Sequence, residues 1–367
     1  MKMESPLTGG ESRWLHVTTT PVPVRNVQDL VASSKELTAA TMERYIRPDI
    51  DRDLVLPEHS AEIIPVIDLA KLLNPHSEAL ELDKLRFACE DWGFFQVINH
   101  GLPNKVIAAT KHDIEDFFQL PLDVKNDHAQ RPGEIQGYGQ AFVVSNDQKL
   151  DWADMLGLFA QPPQARDMSY WPKQPHTFRN SIEEYSSELL QFSHYIETFI
   201  AKTLNVDHEL MRGNCEVQTL RMTYYPPCMS MSNKVLGFSP HSDGSFITIL
   251  LEVNSVQGLQ IRRHDVWVPV KPHPKALLVN VGDLLEIMTN GKYKSVEHRV
   301  TINAHKERLS ISAFHVPKFE AIVSPIPDIV EGKVLYKTVR VEEYAKLYLS
   351  NELDGKKALD FAKISPT

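Results

Sequence analysis

The fold is decided by the stretch around Pro240-His-Ser-Asp-Gly-Ser-Phe-Ile-Thr-Ile-Leu-Leu251. Between Val217 and Val316, short apolar and β-branched runs alternate with Gly, Pro, Asn and Asp residues, which favour turns. The runs are Phe246–Leu251, Val256–Ile261, Val266–Val270, Leu277–Val281 and Ser295–Ile302. Many short strands with frequent turns are typical of a jelly roll. We therefore predict a mainly β fold with helices, built on a double-stranded β-helix (jelly-roll, cupin-like) core.

Helical patterns flank this core on both sides. Apolar residues at helical spacing predict helices over Lys105–Leu120 and Phe178–Leu204 before the core, and near Val341–Leu349 after it. We expect the N-terminal helices to pack around the barrel. The expected divisions are a flexible N-terminal tail (1–24), a helical N-terminal region with short strands (25–210), the jelly-roll core (211–320) and a C-terminal helical segment (321–367).

The composition narrows the classes of partner. The 367 residues are 42% hydrophobic and 24% charged, close to the globular average. The formal net charge is −9 and no basic block is present, so we expect no nucleic-acid binding. No apolar run has the length of a membrane span or the position of a signal sequence, which predicts a cytoplasmic protein without membrane contact. We expect a monomer whose three cysteines are reduced.

His241-Ser-Asp243 is the first element of a predicted metal site. Strand alternation places residues i and i+2 on one face, so His241 and Asp243 can both point into the barrel. A distant strand can then supply His298, from Ser295-Val-Glu-His-Arg299. Two imidazoles and one carboxylate are the ligand set of mononuclear ferrous oxygenases, and they leave positions on the metal open.

The segment Arg308-Leu-Ser310 strengthens this interpretation. It follows His298 by ten residues and offers a guanidinium and a hydroxyl on one strand face. A dicarboxylic co-substrate that chelates iron at one end needs such an anchor for its other carboxylate. Taken alone, His298 could be a structural core histidine and Arg308 a surface charge, but their joint order within a β-rich segment favours one site.

Several segments carry a resemblance to a known family. They are Arg221-Met-Thr-Tyr-Tyr-Pro-Pro-Cys228, Gly258-Leu-Gln-Ile261, Val279-Asn-Val-Gly-Asp283 and Asp91-Trp-Gly-Phe-Phe-Gln-Val-Ile-Asn-His-Gly101. With the HxD, His and RxS elements, they resemble the plant 2-oxoglutarate and Fe(II)-dependent dioxygenases. Within that family, the chain is similar to the senescence-related, norcoclaurine-synthase-like group that includes alkaloid O-demethylases.

The resemblance implies cofactors and a division of roles. Fe(II), 2-oxoglutarate and O2 would be required, with ascorbate as reductant. Iron would be held by His241, Asp243 and His298. The tail of 2-oxoglutarate would be held by Arg308 and Ser310, with the Tyr225 hydroxyl. Thr223 stands where the family usually has Asn beside the co-substrate.

The resemblance also implies an oxidoreductase that hydroxylates or O-demethylates a small, largely apolar plant metabolite, such as an alkaloid, phenolic, terpenoid or hormone-like compound. Desaturation or ring closure is the alternative outcome within the family, and a non-catalytic small-molecule binding protein is the alternative outside it. By similarity to flavonoid-oxidising members, we expect the substrate to contact Tyr138, Arg221, Phe314, Phe142 and Phe238.

Overall fold

The computed structural model describes residues 22–33, 37–38, 40–57, 64–140, 142–229 and 231–365. The α-helices in this part of the chain are α1 Val27–Ser33, α2 Leu69–Leu72, α3 Glu78–Phe87, α4 Asn104–Gln119, α5 Leu122–Asn126, α6 Phe178–Leu204, α7 His208–Met211, α8 Asp283–Met288, α9 Val341–Leu349 and α10 Lys357–Ala362. The strands are β1 Val66–Asp68, β2 Phe94–Ile98, β3 Gly137–Gly139, β4 Asp154–Gln161, β5 Val217–Tyr225, β6 Leu236–His241, β7 Ile247–Glu252, β8 Leu259–Arg263, β9 Val266–Pro269, β10 Leu277–Val281, β11 His298–Thr301, β12 Arg308–Val316, β13 Ile322–Val323 and β14 Val339–Arg340.

Two sheets form the core. The larger has eight strands in the order β1-β2-β10-β7-β12-β5-β4-β3, and the smaller has four in the order β6-β11-β8-β9. All neighbours pair antiparallel except β1 and β2, which are parallel. The crossovers between non-consecutive strands confirm the predicted jelly-roll core.

The sheets pack face to face, and side chains of β5 and β12 fill the space between them. Arg221 of β5 lies over the ring of Phe238 on β6, with 4.4 Å from its Cζ to the ring centroid. Tyr225, also on β5, packs so closely on Gly237 that a Cβ there would lie 2.6 Å from Tyr225 Cδ1. Alternate residues of β5 and β12 therefore face the barrel interior.

The other face of the large sheet is covered by helices, above all α6. Ser186 of α6 donates a hydrogen bond to the Gln218 side chain of β5 (2.7 Å), and Gln218 donates to the Ser186 carbonyl (3.2 Å). Helix α6 ends at Leu204, because the left-handed backbone of the next residue, Asn205 (φ 54°), does not continue the helix. Helix α4 stops at Gln119 because Pro121 disfavours helical backbone at Leu120.

The N-terminal region contributes strands as well as helices. Helix α3 continues into a π-helical turn, Ala88–Trp92, that ends at Gly93. Gly93 has φ +63°, and a Cβ there would meet the Lys294 carbonyl oxygen at 2.2 Å. Glycine thus lets the chain enter β2 directly beneath the segment that leads to His298.

The helices predicted at Phe178–Leu204 and Val341–Leu349 have these bounds in the structure, and the one predicted at Lys105–Leu120 is shifted by one residue. The strand predicted over Ser295–Ile302 is shorter, His298–Thr301. Of the predicted tail, residues 1–21 lie outside the described residues. Among those described, no helix combines the length and apolarity needed to cross a membrane, and the three cysteines are buried and unpaired.

Candidate metal centre and co-substrate pocket

Two paired strands and the loop after one of them bring the predicted triad together. His241 ends β6 and His298 begins β11, and the two lie opposite each other in the antiparallel pair. Asp243 was expected on the strand with His241, but β6 ends at His241 and the carboxylate follows in the loop. Asn280 of β10 holds that carboxylate by donating to Asp243 Oδ2 (2.8 Å).

The donor atoms of the triad converge on one point. Oδ1 of Asp243 lies 3.5 Å from His241 Nε2 and 3.7 Å from His298 Nε2. One ligand atom from each residue can be chosen so that all lie within 4.8 Å of one another. Each imidazole directs its other nitrogen, Nδ1, to a backbone carbonyl two residues earlier, Ser239 for His241 (2.8 Å) and Val296 for His298 (3.1 Å). Such a bond fixes the tautomer with the Nε2 lone pair facing the centre.

The charge state of the triad suits a divalent cation. Burial lowers the pKa of His298 to about 4, and repulsion from His241 adds to this effect, so His298 is neutral at pH 7. Burial alone would raise the pKa of Asp243. The two neighbouring imidazoles and the hydrogen bond from Asn280 outweigh burial and hold that pKa well below its usual range.

The residues therefore fit an iron ion. His241 Nε2 and Asp243 Oδ1 are buried, and neither has a hydrogen-bond partner among the described residues. Leaving buried polar atoms unpaired costs free energy unless a ligand satisfies them. Two neutral imidazole nitrogens and one carboxylate oxygen are the donors of non-haem Fe(II) sites, and they leave positions open for other ligands.

The second predicted cluster lies deeper in the barrel, on β12 and β5. Ser310 pairs with Thr223 and Arg308 with Tyr225 in the register of these strands. Arg308 is buried, Nη1 donates to Ser310 Oγ (3.3 Å), and the guanidinium lies 5.0 Å from the Tyr225 ring centroid. Gly258 permits this placement, since a Cβ there would lie 3.0 Å from Arg308 Cδ. The alternative that Arg308 is a surface charge is wrong.

Two cavities lie near the metal site, and of these two only the smaller is lined by triad residues. A small one, about 20 Å³, touches Asp243 and His298 and is also lined by Ser312, two residues along β12 from Ser310. A larger one, about 160 Å³, has mostly apolar walls. Arg221 and Phe314 line both cavities. The Arg221 guanidinium lies between the rings of Phe238 and Phe314, at 4.4 and 4.7 Å from their centroids.

Four of the five expected substrate contacts lie in this region. Arg221, Phe314 and Phe142 line the large cavity, and Phe238 packs against Phe142 with ring centroids 6.1 Å apart. The ring of Phe238 also lies 4.9 Å from that of His241.

Tyr138 lies elsewhere, which corrects its expected substrate contact. Its partner in the β3–β4 register is Leu156, whose side chain belongs to the core beneath the helices. Directly paired residues share a face, so Tyr138 points away from the barrel interior. Its ring packs against Phe117 and Phe118 of α4, with centroids 5.9 and 6.4 Å apart.

The C-terminal segment supports the triad through contacts that no sequence pattern indicates. Gly355 N–H donates to the Pro240 carbonyl (2.9 Å), and Ser242 N–H donates to the Gly355 carbonyl (3.2 Å). The two bonds lie on either side of His241. From α9, the Tyr348 hydroxyl donates to the Ser242 carbonyl (2.9 Å), and its ring lines the large cavity. More than a hundred residues separate these partners, and no local pattern indicates that they meet.

Known proteins match both halves of the chain. Residues 64–175 match the family model for the N-terminal region of the non-haem dioxygenase in morphine synthesis, and residues 216–317 match that of the 2OG-Fe(II) oxygenase superfamily. S-norcoclaurine synthase 1 of Coptis japonica is 46% identical over 94% of this chain and 97% of its own length. Codeine O-demethylase of Papaver somniferum is 44% identical over 83% of this chain and 86% of its own.

A solved structure agrees with these sequence matches. The crystal structure of JOX2 in complex with 2OG, Fe and JA superposes with a TM-score of 0.84 at 35% identity, covering 95% of this chain and 100% of that one. The family recognised from the motifs is thus confirmed. The chain belongs to the 2OG-Fe(II) oxygenase superfamily and is an oxidoreductase that depends on Fe(II), 2-oxoglutarate and O2.

Proposed function

We propose that the chain hydroxylates or O-demethylates a small, largely apolar plant metabolite, with Fe(II) held by His241, Asp243 and His298. One observation carries the placement of the metal: two buried donor atoms of the triad lack partners among the described residues and converge on one point. The N-terminal strands complete the large sheet, but residues 211–320 alone would supply every proposed iron and 2-oxoglutarate contact. We propose this segment as the catalytic core.

The co-substrate would extend from the metal to Arg308. The Arg308 guanidinium and the Ser310 and Tyr225 hydroxyls would bind its distal carboxylate, since charge-assisted hydrogen bonds are strongest with that group. Thr223 lies opposite Ser310 and would contribute a hydroxyl where relatives of the group usually have an amide. Its shorter side chain reaches less far than Asn, which leaves more of the positioning to Arg308.

When bound, Fe(II) and 2-oxoglutarate convert O2 and one C–H bond into succinate, CO2 and an alcohol. The protein's contribution is to orient the substrate and to exclude water. The ring of Phe314 in the cavity wall and the ring of Phe238 beside His241 would exclude water from the metal side. Where the attacked carbon is an O-methyl group, the product collapses to formaldehyde and a free hydroxyl group. Hydroxylation and demethylation therefore share one oxidation step.

The large cavity defines the substrate class. Its mostly apolar walls suit a planar or apolar molecule, and the cation Arg221 lines both this cavity and the small one. Arg221 Nε is buried without a hydrogen-bond partner among the described residues. We propose that Arg221 donates to an oxygen of the substrate while Phe314, Phe142 and Phe238 pack on its rings. The related codeine O-demethylase, by its name, removes an O-methyl group from codeine.

The proposal includes a monomer that acts in the cytoplasm on a diffusible small molecule and binds no nucleic acid. Desaturation or ring closure remains the alternative outcome, because it depends only on which substrate bond lies nearest the metal. A silent binding protein is not favoured, since it needs neither the triad nor the Arg308 anchor.

The test is a screen of plant metabolite extracts with the Fe(II) enzyme, 2-oxoglutarate and ascorbate, followed by mass spectrometry. We expect a substrate that gains one oxygen atom, or exchanges O-methyl for hydroxyl with release of formaldehyde, with one succinate formed per product. Loss of two hydrogens would indicate desaturation. Binding of a metabolite without any succinate would contradict the proposed activity.

A further inference from the structure

An acidic residue faces the barrel interior beside the proposed co-substrate anchor. Glu252 ends β7 and lies directly opposite Ser310 in the β7–β12 register. Thr248 and Leu250, at the alternate positions of β7, line the small cavity next to Asp243 and His298. Strand alternation therefore directs the Glu252 carboxylate to the same interior as Arg308.

Glu252 occupies one edge of the Arg308 guanidinium. Nη2 of Arg308 donates to Glu252 Oε1 at 2.7 Å, while Nη1 faces the Ser310 hydroxyl. The two side chains are 2% and 16% exposed, so the ion pair is largely desolvated. Arg308 Nε and Glu252 Oε2 have no hydrogen-bond partner in the described part of the chain. The guanidinium is thus held on one side and open on another.

The electrostatic surroundings do not cancel this pairing. Burial raises the pKa of Glu252, and Arg308 acts against that shift as its main counter-ion. The partly buried Lys111 of α4 also lowers the pKa of Glu252, as a weaker influence than Arg308. A second carboxylate entering beside Arg308 would share its single positive charge with Glu252.

We propose that Glu252 is a positioning residue that fixes the Arg308 guanidinium and at the same time weakens binding of the distal carboxylate of 2-oxoglutarate. This inference rests on the proposed role of Arg308. Because Glu252 already fixes the Arg308 guanidinium, less conformational entropy is lost when 2-oxoglutarate binds. Repulsion between two carboxylates around one cation acts in the opposite direction and is larger in a desolvated site. The dissociation constant for 2-oxoglutarate is therefore held above the value that the anchor alone would give.

Glu252→Gln separates the two effects. Glutamine keeps the shape and an oxygen acceptor for Nη2 but removes the charge. In anaerobic calorimetry of the Fe(II) protein, we expect Glu252→Gln to bind 2-oxoglutarate about tenfold more tightly than the wild type, because one negative charge near the distal carboxylate is removed. Binding of 2-oxobutyrate, which lacks the distal carboxylate, should not change. Glu184→Gln, at an exposed position of α6, is the control for the change in net charge.

The outcomes separate the inference from the proposed function. A folded Glu252→Gln protein with unchanged or weaker affinity for 2-oxoglutarate would overturn the role of Glu252. The role of Arg308 is checked by Arg308→Gln, which should weaken 2-oxoglutarate but not 2-oxobutyrate. Unchanged affinity in that variant would remove the anchor and the inference together.

A second measurement applies if Glu252→Gln is too unstable for calorimetry, since a buried cation without its counter-ion destabilises a protein. The non-reacting dicarboxylate N-oxalylglycine should then raise the Tm of this variant more than that of the wild type, because it supplies the missing counter-ion. An equal or smaller rise would overturn the proposal.

Discussion

Replacing Arg308 by lysine keeps the positive charge but should still weaken 2-oxoglutarate binding strongly. In the structure, Nη2 is occupied by Glu252 (2.7 Å) and Nη1 faces the Ser310 hydroxyl (3.3 Å). A lysine ammonium is a point charge that would be drawn to Glu252, so nothing would replace the Nη1 donor. The lost charge-assisted hydrogen bond corresponds to about 1.5–3 kcal/mol. The KM for 2-oxoglutarate should therefore rise about 10- to 150-fold.

The assay is succinate formation at varied 2-oxoglutarate and then at varied organic substrate. We expect a large rise in KM for 2-oxoglutarate and little change in KM for the organic substrate. The same substitution at Arg212, which is 69% exposed, is the matched control. An unchanged KM for 2-oxoglutarate together with an altered KM for the organic substrate would refute the assignment of Arg308.

Three further predictions concern the metal, the substrate cavity and pH. Asp243→Ala should keep the barrel folded but lower Fe(II) affinity at least about 100-fold, because two neutral imidazoles alone bind Fe(II) weakly. Iron titration measures this affinity, and full iron loading at limiting Fe(II) would contradict the prediction. Phe314→Ala should lower substrate-coupled oxidation at least about tenfold while uncoupled succinate formation survives. The exposed Phe361→Ala is its control, and parallel loss of both activities with a lowered Tm would make Phe314 structural. Burial raises the pKa of Asp154 to about 6, so this carboxyl binds more protons in the folded than in the unfolded state. Its contribution to the free energy of unfolding should therefore fall by about 2 kcal/mol as pH rises from about 4 to 6. Urea titrations of Asp154→Asn should show a shallower fall than those of wild type or the exposed Asp328→Asn, and equal slopes would count against the prediction.

The elements that carry the fold were predictable where local pattern dominates. The long amphipathic helix α6 and the apolar strand β10 have the bounds that their periodicity indicates. The meeting of His241, Asp243 and His298 could be predicted, because their spacing combines with the topology of a barrel, and Arg308 could be predicted to face the same barrel interior. Their roles stay predictions until binding is measured.

Features that depend on register or on distant contacts were missed. Tyr138 was expected at the substrate, but its pairing with Leu156 turns it to the helices, and register is not visible in a three-residue strand. Gly355 supports His241 from the far end of the chain, and no periodicity connects the two. The inward orientation of Glu252 could have been predicted, because Glu252 lies at the same alternate positions of β7 as Thr248 and Leu250.

The most direct test is an anaerobic titration of the protein with Fe(II) and 2-oxoglutarate. The readout is the visible absorption band that an Fe(II)–2-oxo acid chelate produces. We expect one iron and one 2-oxoglutarate per chain in the wild type. Asp243→Ala should give no band, and Arg308→Lys should give the band only at much higher 2-oxoglutarate. A band of wild-type strength and midpoint in both variants would contradict the site described by His241, Asp243, His298 and Arg308.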